Sequence, residues 1–367
     1  MKLVGINVYE VPLPVVGRYK MATSEMKLLK STIVELTADN GLKGYGEFCA
    51  LGSVYQPQHT LGARAALEEI APALIGLDPR NIGLLHYKME ATLDGSRYAK
   101  AAVDIAAWDI AGKSYGRRVC DLLGGAHGPT VSTYYAISVD TPEEQARVAR
   151  EKQREGFTRI QLKIGGRDIE EDIEALHRVK EALQPGMRIA ADANRGLNGR
   201  DTLLISQRCR DVPMVLEQPC RTMDEMINIH GRLCHPVYLD EVTEDVNAVV
   251  RAIGAGVADG FGMKLTRVGG ISAIQTIRDI CNARGLPHTT DDNWGGDIIA
   301  AACVHVGATV SPRLFEGAWI GEPYIDGHYD EENGPRIENG KIKVPTGPGL
   351  GIVPDLSKFG SPVLSFG

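Results

Sequence analysis

Apolar and polar positions alternate over the first fifty residues. Leu3, Ile6, Val8 and Val11 mark one strand, and Ser31-Thr32-Ile33-Val34-Glu35-Leu36-Thr37 marks a second. A period of two turns one face of each strand toward a core. Asp39-Asn40-Gly41 predicts a tight turn, because Asn-Gly accepts the positive φ of a hairpin. A third strand then runs to about Cys49. From 59 to 115 the period becomes helical. Leu61, Ala65, Ala66, Ile70, Leu74 and Ile75 share one helical face, and a second helix covers about 81–93. A third, rich in alanine, runs from Tyr98 to Tyr115 and carries Ala102, Ile105, Ala106, Trp108 and Asp109. Leu122-Leu123-Gly124-Gly125 stops it. Residues 1–127 are thus expected to form an α+β cap, a three-stranded meander followed by helices.

From 128 to 320 short β-rich runs alternate with helical patterns. The predicted strands are Ser132–Ile137, Arg159–Ile164, Arg188–Ala193, Met214–Gln218, Val237–Asp240, Gly262–Leu265, Pro287–Thr290 and Pro312–Phe315. Seven end at or beside an ionisable residue: Lys163, Asp192, Glu217, Asp240, Lys264, Asp292 and Glu316, at intervals of 23 to 29 residues. One βα unit takes about that many residues, and repeated units imply a parallel sheet. Eight strands predict a (β/α)8 barrel, whose function-bearing residues sit at the C-terminal strand ends. The period alone does not separate a closed barrel from an open doubly wound sheet. Residues 321–367, with Gly347-Pro348-Gly349-Leu350-Gly351, read as a segment returning to the cap.

Composition narrows the class. The 367 residues carry 40 Lys and Arg against 47 Asp and Glu, a formal charge of −7, which argues against nucleic acid as a partner. No apolar run approaches the roughly 20 residues of a membrane helix, and no phosphate-cradling glycine motif follows a predicted strand. Seven widely spaced cysteines without a C-x-x-C pair suggest reduced thiols in a cytoplasmic protein.

The chemistry gathers at the strand ends. Asp192, Glu217 and Asp240 end three successive strands. Neighbouring parallel strands lie about 4.8 Å apart, so the carboxylates converge. Singly, each would be read as the cap of the next helix. Together they call for a hard cation, Mg2+ with Mn2+ as a substitute. Lys163 and Lys264 end the second and sixth strands, on opposite sides of a barrel. Such a pair suits proton removal from one face of a carbon and return to the other.

These residues resemble the mandelate racemase/muconate-lactonising group of the enolase superfamily. The resemblance spans essentially the whole chain. It includes Ala107-Trp108-Asp109-Ile110-Ala111-Gly112-Lys113, Leu122-Leu123-Gly124-Gly125, Asp192-Ala193-Asn194, Glu217-Gln218-Pro219 and Leu239-Asp240-Glu241, together with the two lysines. It implies a modified TIM barrel with an N-terminal capping domain, Mg2+ on Asp192, Glu217 and Asp240, and an acid/base pair of Lys163 and Lys264. Asn194 would support the metal ligands. One departure is Gln161, where the family often has a second lysine on that strand. The end of the seventh strand carries no histidine base, and Glu316-Gly317-Ala318 lacks the D-x-D of dipeptide epimerases.

Tyr55, Trp294 and Trp319 fall where loops should reach the barrel mouth, and aromatic faces attract quaternary ammonium. Asp292 would add a carboxylate. This set resembles the proline-betaine and hydroxyproline-betaine 2-epimerases, which implies 1,1-proton transfer at C2 of an N-methylated proline. The alternatives are elimination as in cis-3-hydroxyproline dehydratases, muconate-type cycloisomerisation, N-acylamino acid racemisation, and a catalytically silent metal-binding barrel. The resemblance also implies a small-molecule carboxylate substrate with a cationic nitrogen, and a homo-oligomer.

Overall fold

The computed structural model describes the chain except residues 21–24, 52–54, 56 and 293; for Arg18, Glu25, Met26 and Lys27 only the backbone is described. The cap opens with a long hairpin of β1 (Leu3–Lys20) and β2 (Glu25–Ala38), followed by β3 (Lys43–Cys49). The expected turn lies between β2 and β3: Gly41 has φ +81°, and Asn40 Oδ1 accepts from Leu42 N at 3.2 Å. Helices α1 (Thr60–Ile70), α2 (Ile82–Thr92), α3 (Arg97–Tyr115) and α4 (Val119–Leu122) follow. The alanines of α3 have a steric cause. A Cβ on Gly46 would lie 1.8 Å from Ala102 O, and one on Gly44 would lie 2.3 Å from Ala106 O. Helix and strand backbones therefore meet without side chains between them.

The barrel begins with β4 (Thr130–Ser132) and β5 (Tyr135–Ile137). Then α5 (Pro142–Arg154), β6 (Arg159–Lys163), α6 (Ile169–Ala182), β7 (Arg188–Asp192), α7 (Gly199–Arg208), β8 (Met214–Glu217), α8 (Met223–Ile229), β9 (Val237–Leu239) and α9 (Val246–Gly254) alternate. β10 (Gly260–Phe261), α10 (Leu265–Val268), α11 (Ile271–Arg284) and α12 (Asp297–Gly307) complete it. Strands β5 to β10 pair in parallel in chain order. Parallel bridges Phe261↔His288 and His288↔Phe315 continue the sheet. Ala318 N donates to Ser132 O, which closes the ring at 3.0 Å. The expectation of a barrel rather than an open sheet is met.

Along β6 the side chains alternate. Ile160 and Leu162 are buried in an outer core with Ile173, Leu176 and Val179 of α6. Arg159, Gln161 and Lys163 face the barrel axis, where Gln161 and Arg159 approach Glu217 of β8.

Three expectations shift. The sixth strand is Gly260–Phe261, so Lys264 lies beyond it as the N-cap of α10. Ser132–Ile137 is two pieces, of which β4 joins a separate sheet with β11 (Ile337–Glu338) and β12 (Lys341–Lys343). The eighth strand runs on to Trp319, whose carbonyl accepts from Asp292 N. Glu316 therefore lies toward the opposite end of the barrel. It bonds Arg188, the first residue of β7, at 2.9 Å, and contributes nothing to the mouth. The last strand, β13 (Leu364–Phe366), pairs with β1 and makes the cap sheet four-stranded. Among the described residues, no helix is long and apolar enough to cross a membrane.

Trp108 and Asp109 join the parts. Trp108 Nε1 donates to Ser272 Oγ on α11 at 2.9 Å. Buried Asp109 accepts from Tyr45 N, Leu350 N and Lys113 Nζ.

Candidate active site

The strand register lines up the polar groups. Lys163 pairs with Asp192, and Asp192 with Glu217, each the last residue of its strand. Asp240 follows β9, and its N–H donates to Gln218 Oε1 at 2.9 Å. None of the three carboxylates caps a helix. The following helices α7, α8 and α9 are capped by Asn198, Thr222 and Asp245. The carboxylates are at most 1% exposed, and burying charge at that density requires compensation.

Side-chain cations supply part of it. Lys163 Nζ donates to Asp192 Oδ2, Lys264 Nζ to Asp240 Oδ2, and Arg267 to Asp240 Oδ1. Burial opposes the charge on Lys163, but Asp192, Tyr19 and Glu217 together outweigh it and hold the ammonium above its ordinary range. Lys264 is likewise raised: burial opposes its charge, but Asp240, Glu241 and Asp291 together outweigh it. Asp240 is lowered because Lys264 and Arg267 overcome its burial. Glu217 is less well served. Burial, Asp192 and Asp240 push it up to about 8. Its Oε1 accepts from Gln161 Nε2 at 2.9 Å, while Oε2 is buried with no hydrogen-bond partner among the described residues.

Among the described residues no group of three or more His, Cys, Asp or Glu is arranged to hold a metal ion as it stands, but the chemistry of these donors suits a hard divalent cation. They are oxygen only, one is orphaned, and the approach is kept clear by Gly262, where a Cβ would lie 3.0 Å from Glu217 Oε1 and 3.3 Å from Asp240 Cβ. Asn194, at φ +43°, donates its N–H to Asp192 Oδ1 at 2.9 Å, and its Nδ2 to Asp192 Oδ2 and Glu241 Oε1, both at 3.1 Å. Gln161 orients Glu217 in the same way.

A narrow cavity is lined by Lys163, Lys264 and Gln161, by Asp291 and Asp292, by Leu51, and by Tyr19, Tyr55, Tyr134, Trp294 and Trp319; Lys163, Gln161 and Lys264 connect it to Asp192, Glu217 and Asp240. The two lysines enter from strands four positions apart in the ring. The aromatic wall is continuous: ring centroids are 5.1 Å apart for Trp294–Trp319, 4.8 Å for Tyr19–Trp294 and 5.4 Å for Trp319–Tyr324. Tyr55 OH reaches Asp240 Oδ2 at 3.5 Å. Within its loop, residues 52–54 and 56 lie outside the described residues.

The two aspartates of the seventh strand differ. Asp292 accepts from Trp294 N at 2.8 Å and Gly321 N at 3.0 Å, so its oxygens hold the loop backbone. Asp291 is backbone-bridged to Lys264 and accepts from Trp319 N at 2.9 Å and Thr289 Oγ1 at 2.5 Å. Burial pushes it up to about 6, with Lys264 countering. Asp291 is the carboxylate beside the lysines. Sequence reasoning passed over it, although strand alternation from Thr289 could have found it. It also passed over Arg267 and Tyr19. The first carries no local signal, and the second needed the length of β1. His288 is buried and pushed down to about 4, a neutral core residue.

Known proteins give this geometry a lineage. Residues 4–124 match the family described as mandelate racemase/muconate lactonizing enzyme, N-terminal domain, and residues 144–358 match enolase C-terminal domain-like proteins. The chain is 39% identical to cis-3-hydroxy-L-proline dehydratase of Roseibium aggregatum, over 100% of both proteins. It is 29% identical to N-succinyl-L-Arg/Lys racemase of Bacillus cereus, over 83% of this chain and 84% of that one. A crystal structure of a member of the enolase superfamily from Roseovarius nubinhibens, complexed with magnesium, superposes with a TM-score of 0.95 at 30% identity, covering 100% of this chain and 99% of that one. The chain belongs to the mandelate racemase/muconate lactonizing branch of the enolase superfamily and is an enzyme of that superfamily.

Proposed function

We propose that this enzyme is a 2-epimerase of an N-methylated proline, such as 4-hydroxyproline betaine or proline betaine, acting by 1,1-proton transfer at the carbon next to the carboxylate. The observation that carries the reading is the composition of one cavity: two lysines on opposite strands and a wall of Tyr19, Tyr55, Trp294 and Trp319. A quaternary ammonium cannot donate hydrogen bonds, so it is recognised by aromatic faces, at roughly 0.5–2 kcal/mol per contact, and by a nearby negative charge. Asp291 and Asp292 lie at that wall.

Asp192, Glu217 and Asp240 would hold Mg2+, which when bound supplies the charge that stabilises a carboxylate deprotonated at its α carbon. The chain's own residues do the rest. The aromatic wall and Asp291 orient the ring so that its C2–H points at one lysine. That lysine, released from its carboxylate partner and neutral, takes the proton. The lysine on the other flank, still an ammonium, returns a proton to the opposite face, and configuration inverts. Gln161 and Asn194 keep Glu217 and Asp192 in place during the transfer.

The test follows the C2 proton by NMR in D2O with Mg2+ and each enantiomer of the candidate betaines. Exchange with no change of mass beyond deuterium is the expected result. Absence of exchange with every betaine would remove the proposal. A second reading, dehydration of a cis-3-hydroxyproline, is favoured by the full-length similarity to the Roseibium dehydratase. It begins with the same proton removal and ends with loss of 18 Da.

A further inference from the structure

The loop after the seventh barrel strand carries strain at the cavity wall. Trp294 has φ +74°, a region that residues with bulky side chains rarely adopt. Such a conformation persists only where the surroundings over-determine it. One restraint is local, the bond from Trp294 N to Asp292 Oδ1. Another comes from the cap. Glu47 of β3 is fully buried. Its Oε1 accepts from Gly296 N at 2.7 Å, Ser31 Oγ at 2.5 Å and Tyr329 OH at 2.9 Å, and its Oε2 accepts from Ile299 N at 3.0 Å.

Gly296 is the N-cap of α12 and Ile299 lies in its first turn. A helix start leaves four N–H groups without intrahelical partners. Here a carboxylate from the other domain satisfies two of them. The fit leaves little freedom. A Cβ on Gly295 would lie 3.1 Å from Glu47 Oε1 and 2.4 Å from Ile299 Cγ2, and one on Gly296 would lie 2.4 Å from the Tyr329 ring. Glu47 does not line the cavity.

We propose that Glu47 is a positioning residue: by fixing the start of α12 it fixes Trp294, and with it the wall on which the cationic end of the substrate rests. The cap thus sets substrate affinity through a side chain that does not touch substrate. The affinity part rests on the betaine reading above, whereas the placement of Trp294 does not.

Glu47→Gln turns one acceptor into a donor that faces a donor. With a betaine that turns over, KM rises roughly fivefold or more while kcat stays within about threefold. In a Trp294→Phe background the same change adds nothing to KM, because both act through one ring. Without any substrate, acrylamide quenching of tryptophan emission increases in Glu47→Gln, and the increase disappears with Trp294→Phe. Equal losses in both backgrounds, or unchanged KM and unchanged quenching, overturn the proposal. If no betaine reacts with the wild-type enzyme, the functional reading fails and the quenching pair alone decides this one. If Glu47→Gln does not fold, Tyr329→Phe removes one of the four donors. A smaller rise in KM and quenching supports the proposal, and no change in either overturns it.

Discussion

The two halves of the barrel mouth are built in different ways. From β6 to β9 the strands form a regular ladder, and Lys163, Asp192 and Glu217 are successive register partners. Backbone pairing alone puts these groups side by side. Beyond β10 the strands shrink to bridges at Phe261, His288 and Phe315. There the wall is carried by Trp294 in a left-handed conformation and by Trp319, and their backbone N–H groups are held by Asp292 and Asp291. In the proposed reaction the reacting groups need placement within a fraction of an ångström, and rigid pairing gives it. The groups proposed to choose a substrate sit on irregular backbone, where changes leave the ladder intact. Lys264 crosses the divide: it lies on the irregular side, yet Asp240 of the regular side holds its ammonium.

The sharpest break of this contrast is loss of a base. Lys163→Ala or Lys264→Ala is expected to lower epimerisation by about 10²–10⁴-fold. Each variant should still exchange the C2 proton of one enantiomer only, read by NMR in D2O. Exchange of both enantiomers by either variant would contradict a two-base site. Next comes Gly46→Ala, which drives a Cβ into Ala102 O and loosens the cap that carries Tyr19 and Tyr55. A loss of about 1–3 kcal/mol in urea unfolding is expected, with KM rising more than kcat falls. Smaller again is Trp319→Ala, which should raise KM for a quaternary ammonium substrate by roughly 2–30-fold with little effect on kcat. An effect on kcat alone would move Trp319 from recognition to chemistry.

The smallest effect tests cap–barrel docking. His86 Nε2 lies 2.6 Å from Asp104 Oδ1, and Asp104 also accepts from Ser272 of α11. Burial lowers the pKa of His86, but Asp104 outweighs it and the net shift is upward. The charged pair therefore adds stability in full below the unfolded value of about 6.5, and loses it as pH rises through the raised folded value. The Tm gap between wild type and His86→Asn should narrow by about 1–3 °C between pH 6 and pH 9. A gap that widens would refute the ion pair.

The regular half was legible in the sequence for a physical reason. A short strand followed by a helix repeats at 23 to 29 residues, so Asp192, Glu217 and Asp240 stand out by period. The irregular half has no period. Period alone places Glu316 at the mouth, but the eighth strand runs four residues further: the carbonyl of Trp319, not that of Phe315, accepts from Asp292. Asp292 was chosen over Asp291 because alternation was not carried through a strand that forms only bridges. Arg267 and Glu47 act on groups far away in sequence, and nothing local marks either one.

The pairing of β13 with β1 has a consequence for biogenesis. Residues 364–366 complete a sheet that residues 3–20 begin. During translation residues 3–20 emerge well before residues 364–366, so the edge at Ile6–Val8 stays open until the barrel between them has left the ribosome. An unpaired edge is a template for another chain, and for that interval the nascent cap presents one.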